Sequence, residues 1–169
     1  DHTIFAVGDV AGAPMLAHKA FLEGKIAAEV IGGLNSYYEP KVVPAVAYSD
    51  PEVAYVGLTE DQAKAQGLNV NVVKYPFSAI GRAATMDEME GFVKIVALQG
   101  NNELLGVQIV GPEASDLVSE AALAIEMGAT AQDISLVIHP HPTLSEAFLE
   151  ANELLLGKSI HFAPPKKKE

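Results

Sequence analysis

The sequence contains no cysteine among its 169 residues. Without thiols, the chain can form no structural disulfide, no thiolate zinc site and no cysteine nucleophile of its own. Basic side chains are also scarce, because 11 Lys and Arg stand against 22 Asp and Glu and give a formal net charge of -11. This charge argues against nucleic-acid binding and favours either simple solubility or a basic protein partner.

Long apolar runs are absent as well, since no stretch approaches the roughly 20 residues that cross a bilayer. The first residues lack the basic and apolar regions of a signal peptide. We therefore expect neither a membrane span nor secretion. The 49% hydrophobic content is enough for one sizeable core. The basic run at residues 166–168 follows two prolines and is predicted to belong to a solvated tail, residues 164–169.

The first part of the chain has the pattern of a strand, a turn and a helix. Residues 3–7 have the pattern of a buried strand that leads into Gly8 and Asp9, and residues 15–31 have the pattern of a helix. An aspartate at the end of a strand can bind a sugar hydroxyl, and a helix N-terminus presents N–H groups to an electron-rich acceptor. The same pattern also fits a strand and a helix with a solvated aspartate, and the residues alone leave both open.

From about Tyr37 the pattern changes to short strands separated by turns. Because the strands precede most of the helices, we predict an α+β fold with a mainly antiparallel sheet and helices packed on one face. Strands are predicted at 44–48, 53–57, 70–75, 92–98 and 104–110, and helices after the N-cap candidates Thr59 and Thr130 and over residues 114–127.

The helix at residues 114–127 combines an apolar face with an acidic one. The apolar set is expected to face a core, and the acidic set is expected to remain wetter. The apolar set is Leu117, Ala121, Leu123, Ala124 and Met127, and the acidic set is Glu113, Asp116, Glu120 and Glu126.

Residues 139–146, His-Pro-His-Pro-Thr-Leu-Ser-Glu, combine two imidazoles with a carboxylate. Pro142 disfavours a helical conformation at His141, so a helix can begin only after it. Thr143 is the predicted N-cap, and Glu146 completes a capping box. The carboxylate can also accept a hydrogen bond from His141 and set its tautomer for acid/base chemistry. From spacing alone, a capping glutamate beside an ordinary loop histidine is the commoner arrangement.

This stretch, continued through Ala147 and Phe148, resembles the C-terminal active-site signature of the dihydrolipoamide dehydrogenase family of pyridine nucleotide-disulfide oxidoreductases. The resemblance implies that His141 exchanges a proton with a dithiol substrate and that Glu146 orients it, whereas His139 is structural. It also implies a homodimer in which one subunit supplies His141 to the flavin and disulfide of the other. The location would be the cytoplasm or the mitochondrial matrix.

Residues 3–9, Thr-Ile-Phe-Ala-Val-Gly-Asp, resemble the second FAD signature of the same family. The resemblance implies that Asp9 binds the ribitol chain of FAD. It also implies that the following segment lies against the isoalloxazine ring; this segment is Met15, Leu16, Ala17 and His18.

Other parts of the family pattern are not in this sequence. The family's phosphate-binding Gly-x-Gly-x-x-Gly loop, its Cys-x4-Cys pair and its NAD domain have no counterpart here. We therefore expect residues 1–36 to be the end of a FAD-binding domain and residues 37–163 to be an interface domain. FAD and NAD would serve the parent enzyme, while this chain alone is expected to bind neither cofactor nor a metal and to be inactive.

The resemblance also implies partners. The parent enzyme would act on the lipoyl domain of a dihydrolipoamide acyltransferase and bind the basic subunit-binding domain of that protein, for which Glu39 and Glu126 are candidate contacts. Two alternatives remain. One is that the chain belongs to a related glutathione-type or mercuric-type reductase, and the other is that it works as a non-enzymatic dimerisation or partner-binding module.

Overall fold

The chain divides into two compact units at the bond between Val43 and Pro44. The computed structural model describes residues 3–163, so the predicted tail at 164–169 lies outside the described residues. Within residues 3–163, every helix is too short or too polar to span a bilayer.

The first unit contains a 3-10 turn at Gly8–Ala11 and a long helix, α1, at Ala17–Ile31. The predicted strand at residues 3–7 is wrong. Its backbone is extended, with φ -137° and ψ 140° at Val7, but Ile4 is 73% exposed. An extended segment becomes a strand only where a second strand pairs with its N–H and C=O groups, and within residues 3–163 no strand pairs with this segment.

The second unit is built on a five-stranded sheet. Its strands are β1 (Ala45–Ala47), β2 (Glu52–Gly57), β3 (Val70–Pro76), β4 (Phe92–Leu98) and β5 (Leu104–Gly111). Their order in the sheet is β1-β2-β5-β4-β3, and every neighbouring pair is antiparallel. The predicted antiparallel sheet is therefore confirmed.

The strand register places the core on one face of this sheet. Residues that pair across neighbouring strands point to the same side, and the chain of partners Ala54–Ile109–Val93–Tyr75 is buried throughout. On the other side, Tyr55 of β2 is about half exposed. One face of the sheet must therefore be covered by helices.

The helices of this unit are α2 (Glu60–Ala65), α3 (Gly81–Met86), α4 (Ala114–Met127), α5 (Ala131–Ser135) and α6 (Glu146–Leu155). Two of them cover that face of the sheet: α4 packs on β2 and β5, while α6 packs on β3 and β4. The predicted caps are confirmed, since Thr59 and Thr130 each form a complete capping box.

The predicted core face of α4 is only partly correct. Ala121 and Ala124 are buried as predicted, but the large inward side chains are Val118 and Ile125. By contrast, two of the predicted core residues are exposed, Leu123 at 62% and Met127 at 74%. Because this helix carries apolar residues on more than one side, only its packing on the sheet decides which of them are buried.

Candidate acid/base site

The candidate site lies where the loop before α6 meets the first turns of that helix. The helix begins at Glu146, with Ser145 as N-cap and no capping side chain, so the predicted N-cap at Thr143 is wrong. The Thr143 hydroxyl instead lies 2.7 Å from the Pro140 carbonyl oxygen, to which it donates. One of the two hydrogen bonds of the predicted capping box is formed, since the Thr143 N–H donates to Glu146 Oε2 at 2.8 Å.

His141 and Glu146 are brought together at this helix start. His141 Nδ1 lies 2.9 Å from Glu146 Oε1. The His141 side chain is 70% exposed, whereas the Glu146 side chain is 15% exposed. An ionised carboxylate only accepts hydrogen bonds, so the proton of the neutral ring lies on Nδ1, and Nε2 is left as an acceptor.

Glu146 is held in its ionised form. Burial by itself raises the pKa of this carboxyl, but the hydrogen bonds from the Thr143 N–H and from His141 together outweigh burial. The pKa of Glu146 is consequently below its ordinary value. A carboxylate that stays ionised can stabilise an imidazolium beside it, so this arrangement suits acid/base chemistry.

A cleft of about 240 Å³ opens beside this pair and contains a second His–Glu pair that sequence reasoning missed. Glu150 is one turn further along α6, and its carboxylate contacts Nδ1 of His161. The spacing of four residues on a helix could have predicted that Glu150 lies beside Glu146, but no nearby residue in the sequence indicates that His161 contacts Glu150. The cleft is lined by Ala79, Ile80, Gly81, His141, Glu146, Glu150 and His161.

Tyr75 of β3 is buried near these carboxylates. Its hydroxyl has no hydrogen-bond partner among the described residues. Burial, followed by the negative charges of Glu150, Glu146 and Glu153, raises the pKa of the Tyr75 phenol well above its ordinary value. The second His–Glu pair therefore lies near the buried Tyr75 ring and near the other carboxylates of α6.

The predicted flavin residues lie around the start of α1 in the first unit. Asp9 belongs to the 3-10 turn and is exposed, and α1 begins at Ala17 without a side-chain cap. Met15 is 68% exposed, Leu16 is half-buried, and Ala17 and His18 are exposed. The exposed Asp9 carboxylate and the N–H groups at the start of α1, which have no side-chain cap, can bind polar parts of a ligand.

A buried ion pair that sequence reasoning missed holds this turn. Lys19 is 6% exposed; its ammonium lies 2.6 Å from Glu23 Oε1 and donates to the Gly12 carbonyl oxygen at 3.1 Å. The other oxygen of Glu23 accepts from the Gly8 N–H at 2.7 Å. The spacing of four residues on a helix was the available signal. These bonds fix the backbone on both sides of Asp9.

The candidate partner contacts lie in different units. Glu39 belongs to the first unit and Glu126 to α4 in the second, and both are exposed. Across residues 3–163, no group of three or more His, Asp or Glu side chains is arranged to hold a metal ion.

Comparison with known proteins assigns the family. Residues 43–152 match the family model "Pyridine nucleotide-disulphide oxidoreductase, dimerisation domain". The chain is 56% identical over 158 residues to a dihydrolipoyl dehydrogenase of Halobacterium salinarum, covering 94% of this chain and 33% of that protein. It is 51% identical over 158 residues to the enzyme of the same name from Geobacillus stearothermophilus, covering 94% and 34%.

Solved structures have the same fold. LpdA from Mycobacterium tuberculosis superposes with a TM-score of 0.83 at 28% identity, covering 90% of this chain and 33% of that one. The HOCl-induced flavoprotein disulfide reductase RclA from Escherichia coli gives 0.84 at 25% identity, covering 89% and 35%. The chain belongs to the pyridine nucleotide-disulphide oxidoreductase family, through its dimerisation domain. It spans about a third of the length of the curated relatives that it matches.

Proposed function

We propose that this chain is part of a flavoprotein that oxidises protein-bound dihydrolipoamide to lipoamide with NAD as the acceptor, and that His141 is its acid/base. The observation that carries the proposal is the 2.9 Å contact between His141 Nδ1 and the ionised Glu146, with the imidazole otherwise exposed. Relatives with 51% to 56% identity named dihydrolipoyl dehydrogenase support the choice of substrate.

The chemistry of His141 follows from its tautomer. Nε2 accepts the proton of a substrate thiol, which leaves a thiolate and an imidazolium. The Glu146 carboxylate holds the ring orientation through Nδ1 and stabilises the imidazolium charge. The chain contains no cysteine, so the disulfide that the thiolate attacks must belong to another part of the assembly.

FAD would take up the two electrons from the dithiol and pass them to NAD. The described residues fit one part of a flavin site, because Asp9 is exposed on a braced turn and the first N–H groups of α1 carry no side-chain cap. We assign Asp9 and residues 15–18 to it, and residues 1–36 to the end of a FAD-binding domain. Since the sequence has no Gly-x-Gly-x-x-Gly loop for the phosphates, purified 169-residue chain should carry no stoichiometric flavin absorbance.

A dimer would complete the site. We propose a homodimer in which His141 of one subunit serves the flavin and disulfide of the other, which the dimerisation-domain match supports. Its partners would be the lipoyl domain and the basic subunit-binding domain of an acyltransferase, with the exposed Glu39 and Glu126 as contacts. Charge reversal at these two positions should weaken binding of the subunit-binding domain, and unchanged affinity would remove them from the proposal. The compartment would be the cytoplasm or the mitochondrial matrix.

The test is lipoamide-dependent NAD reduction by the full-length flavoprotein that carries this chain. His141→Gln should lower kcat by about 10²–10⁴, the usual contribution of a positioned acid/base. Flavin content and far-UV circular dichroism serve as controls for folding. Full turnover by His141→Gln would contradict the assignment of His141.

The related reductases provide the second comparison. RclA is named a disulfide reductase and not a dihydrolipoyl dehydrogenase, yet it has a TM-score of 0.84 to this chain, and a shared fold does not by itself fix the substrate. The wild-type flavoprotein should therefore be assayed with dihydrolipoamide and with reduced glutathione. Higher kcat/KM for glutathione would overturn the choice of substrate.

A further inference from the structure

The ion pair between Lys19 and Glu23 of α1 lies largely out of water, which is unusual for two charges one turn apart on a helix. The Lys19 side chain is 6% exposed and the Glu23 side chain is 13% exposed. The hydrogen bonds from Lys19 and from the Gly8 N–H hold the pKa of the Glu23 carboxyl below its ordinary value, so this carboxyl is ionised at neutral pH.

Burial of an ion pair adds little net stability to a fold. Taking two charges out of water costs about as much as their attraction returns, and two apolar side chains of similar volume often stabilise a fold equally well. An apolar pair, however, cannot form hydrogen bonds. The contribution that only a charged pair at positions 19 and 23 can make is therefore its bonds to other groups.

These bonds reach the backbone at both ends of the 3-10 turn. Glu23 Oε2 accepts from the Gly8 N–H at 2.7 Å, and Lys19 Nζ donates to the Gly12 carbonyl oxygen at 3.1 Å. Asp9 lies between the two points, and its own carbonyl oxygen accepts from the Gly12 N–H at 3.1 Å. The backbone is thus bonded on both sides of Asp9, whereas the Asp9 side chain is exposed.

We propose that Lys19 and Glu23 are positioning residues, which hold the turn in the conformation in which Asp9 binds a hydroxyl of the ribitol chain of FAD. The identity of this ligand rests on the proposed function, whereas the bonds from the pair to the turn do not. Lys19 and Glu23 act through the backbone next to Asp9.

The size of the effect follows from how often the turn has the binding conformation. Without the bonds at Gly8 and Gly12, the turn can adopt other conformations. The apparent affinity for a ligand falls by the fraction of molecules that have the binding conformation, so a fraction of about one in ten weakens binding about tenfold.

The test measures the dissociation constant of FAD for the full-length flavoprotein that carries this chain, after its flavin has been removed. Lys19→Met and Glu23→Leu are introduced together, because a single substitution would leave one charge buried and unpaired. The dissociation constant should rise about tenfold. The matched control is Lys25→Met with Glu29→Leu, at two exposed positions with the same spacing on α1, and it should leave the constant unchanged.

The same double substitution in an Asp9→Ala background separates positioning from a general effect on the fold. Because the pair acts through Asp9, its loss should weaken FAD binding in the wild-type background and have no further effect when Asp9 is already replaced. An equal loss of affinity in both backgrounds would make the pair purely structural and would overturn the proposal. Unchanged affinity in the wild-type background would overturn it as well.

A second measurement examines the turn without the flavin. Hydrogen exchange of the 169-residue chain can follow the N–H groups of Gly8 and Gly12, which should exchange faster after the double substitution, while those of residues 26–31 in α1 should not. Unchanged exchange at Gly8 and Gly12 would overturn the proposal. FAD binding that is insensitive to Asp9→Ala alone would instead overturn the proposed role of Asp9, and hydrogen exchange would still decide whether the pair holds the turn.

Discussion

His139 Nε2 lies 2.8 Å from Glu120 Oε1 on α4, although 19 residues separate the two in sequence. The imidazole is 4% exposed, and its Nδ1 lies 3.0 Å from the Val137 carbonyl oxygen. Both ring nitrogens therefore face acceptors. The loop that carries His141 is thus attached to α4 two residues before His141, which agrees with a structural role for His139.

Removal of this attachment should destabilise the fold. Glu120→Ala leaves the buried Nε2 of His139 unpaired, which costs about 1–3 kcal/mol of unfolding free energy. Urea unfolding of the chain measures the change. Ser119→Ala, an exposed polar residue beside it on α4, is the control and should change stability by less than about 0.5 kcal/mol. Equal effects of the two substitutions would show that the pair contributes nothing.

Glu146→Gln should change the pH dependence of stability. Because the folded pKa of Glu146 is below its ordinary value of 4.5, the ionised carboxylate stabilises the fold above that pH, and this contribution is lost as pH falls through the folded pKa. The stability difference between wild type and Glu146→Gln should therefore be constant near neutral pH and shrink as pH falls below about 4.5. Urea unfolding at pH values from about 7 down to about 3 measures this difference, and a difference that is the same at both ends of the range would contradict the ionised pair.

The same substitution separates orientation from capping in the full-length flavoprotein. Glu146→Gln can still accept the Thr143 N–H but supplies no charge to the imidazolium, so turnover should fall more than stability. Unchanged turnover in Glu146→Gln, together with a loss of about 1 kcal/mol in Glu146→Ala, would make Glu146 a cap only.

Tyr75→Phe should stabilise the second unit. The substitution removes a buried hydroxyl that has no hydrogen-bond partner among the described residues, and it keeps the edge-on packing on Phe162. We expect a gain of about 1 kcal/mol in unfolding free energy. Tyr48→Phe, at a side chain that is 80% exposed, is the matched control and should be neutral. A loss of stability in Tyr75→Phe would mean that the hydroxyl has a partner.

Gly106→Ala should disrupt the sheet. A Cβ at Gly106 of β5 would lie 1.9 Å from the Leu58 carbonyl oxygen, so it would overlap the backbone that follows β2. The expected cost is about 1–3 kcal/mol or more, because backbone cannot move aside as a side chain can. Gly81→Ala at the start of α3, where a Cβ meets nothing within 4 Å, should be neutral or slightly stabilising. Thermal unfolding of both variants distinguishes the two environments.

The second unit should self-associate. Leu123 and Met127 lie one turn apart on α4 and are 62% and 74% exposed, and Ile138 is 95% exposed. An obligate homodimer typically buries about 2,000 Å² or more of largely apolar surface. Sedimentation at tens of micromolar should show a dimer that Leu123→Asp weakens. Val10→Asp, at an exposed apolar residue of the first unit, is the control, and a wild-type monomer would contradict the prediction.

Secondary-structure elements that are marked by a short local pattern of residues could be predicted from the sequence. The capping boxes at Thr59 and Thr130, the strand at 92–98 and the helix at 114–127 have the predicted positions. The caps and the helix depend on contacts three or four residues apart, and the strand at 92–98 pairs with the strand at Leu104–Gly111 that follows it after a short turn, so nearby residues carry the information.

Three predictions made from local patterns failed, and in two of them a distant part of the chain decides the outcome. Residues 3–7 have a strand-like composition but no paired strand in the described chain. The Thr143 hydroxyl bonds the Pro140 carbonyl instead of capping the helix. Leu123 is exposed because an apolar residue on a helix is buried only where its side of the helix faces the sheet.

In the candidate site, too, one contact could be inferred from the sequence and others could not. Contact between His141 and Glu146 could be inferred from the sequence, because five residues at a helix start keep the two side chains within reach. The pairs His139–Glu120 and His161–Glu150 could not, since 19 and 11 residues separate their members. Only the packing of α4 and α6 on one sheet, and the return of the chain after α6, decided which of the many acids each imidazole meets.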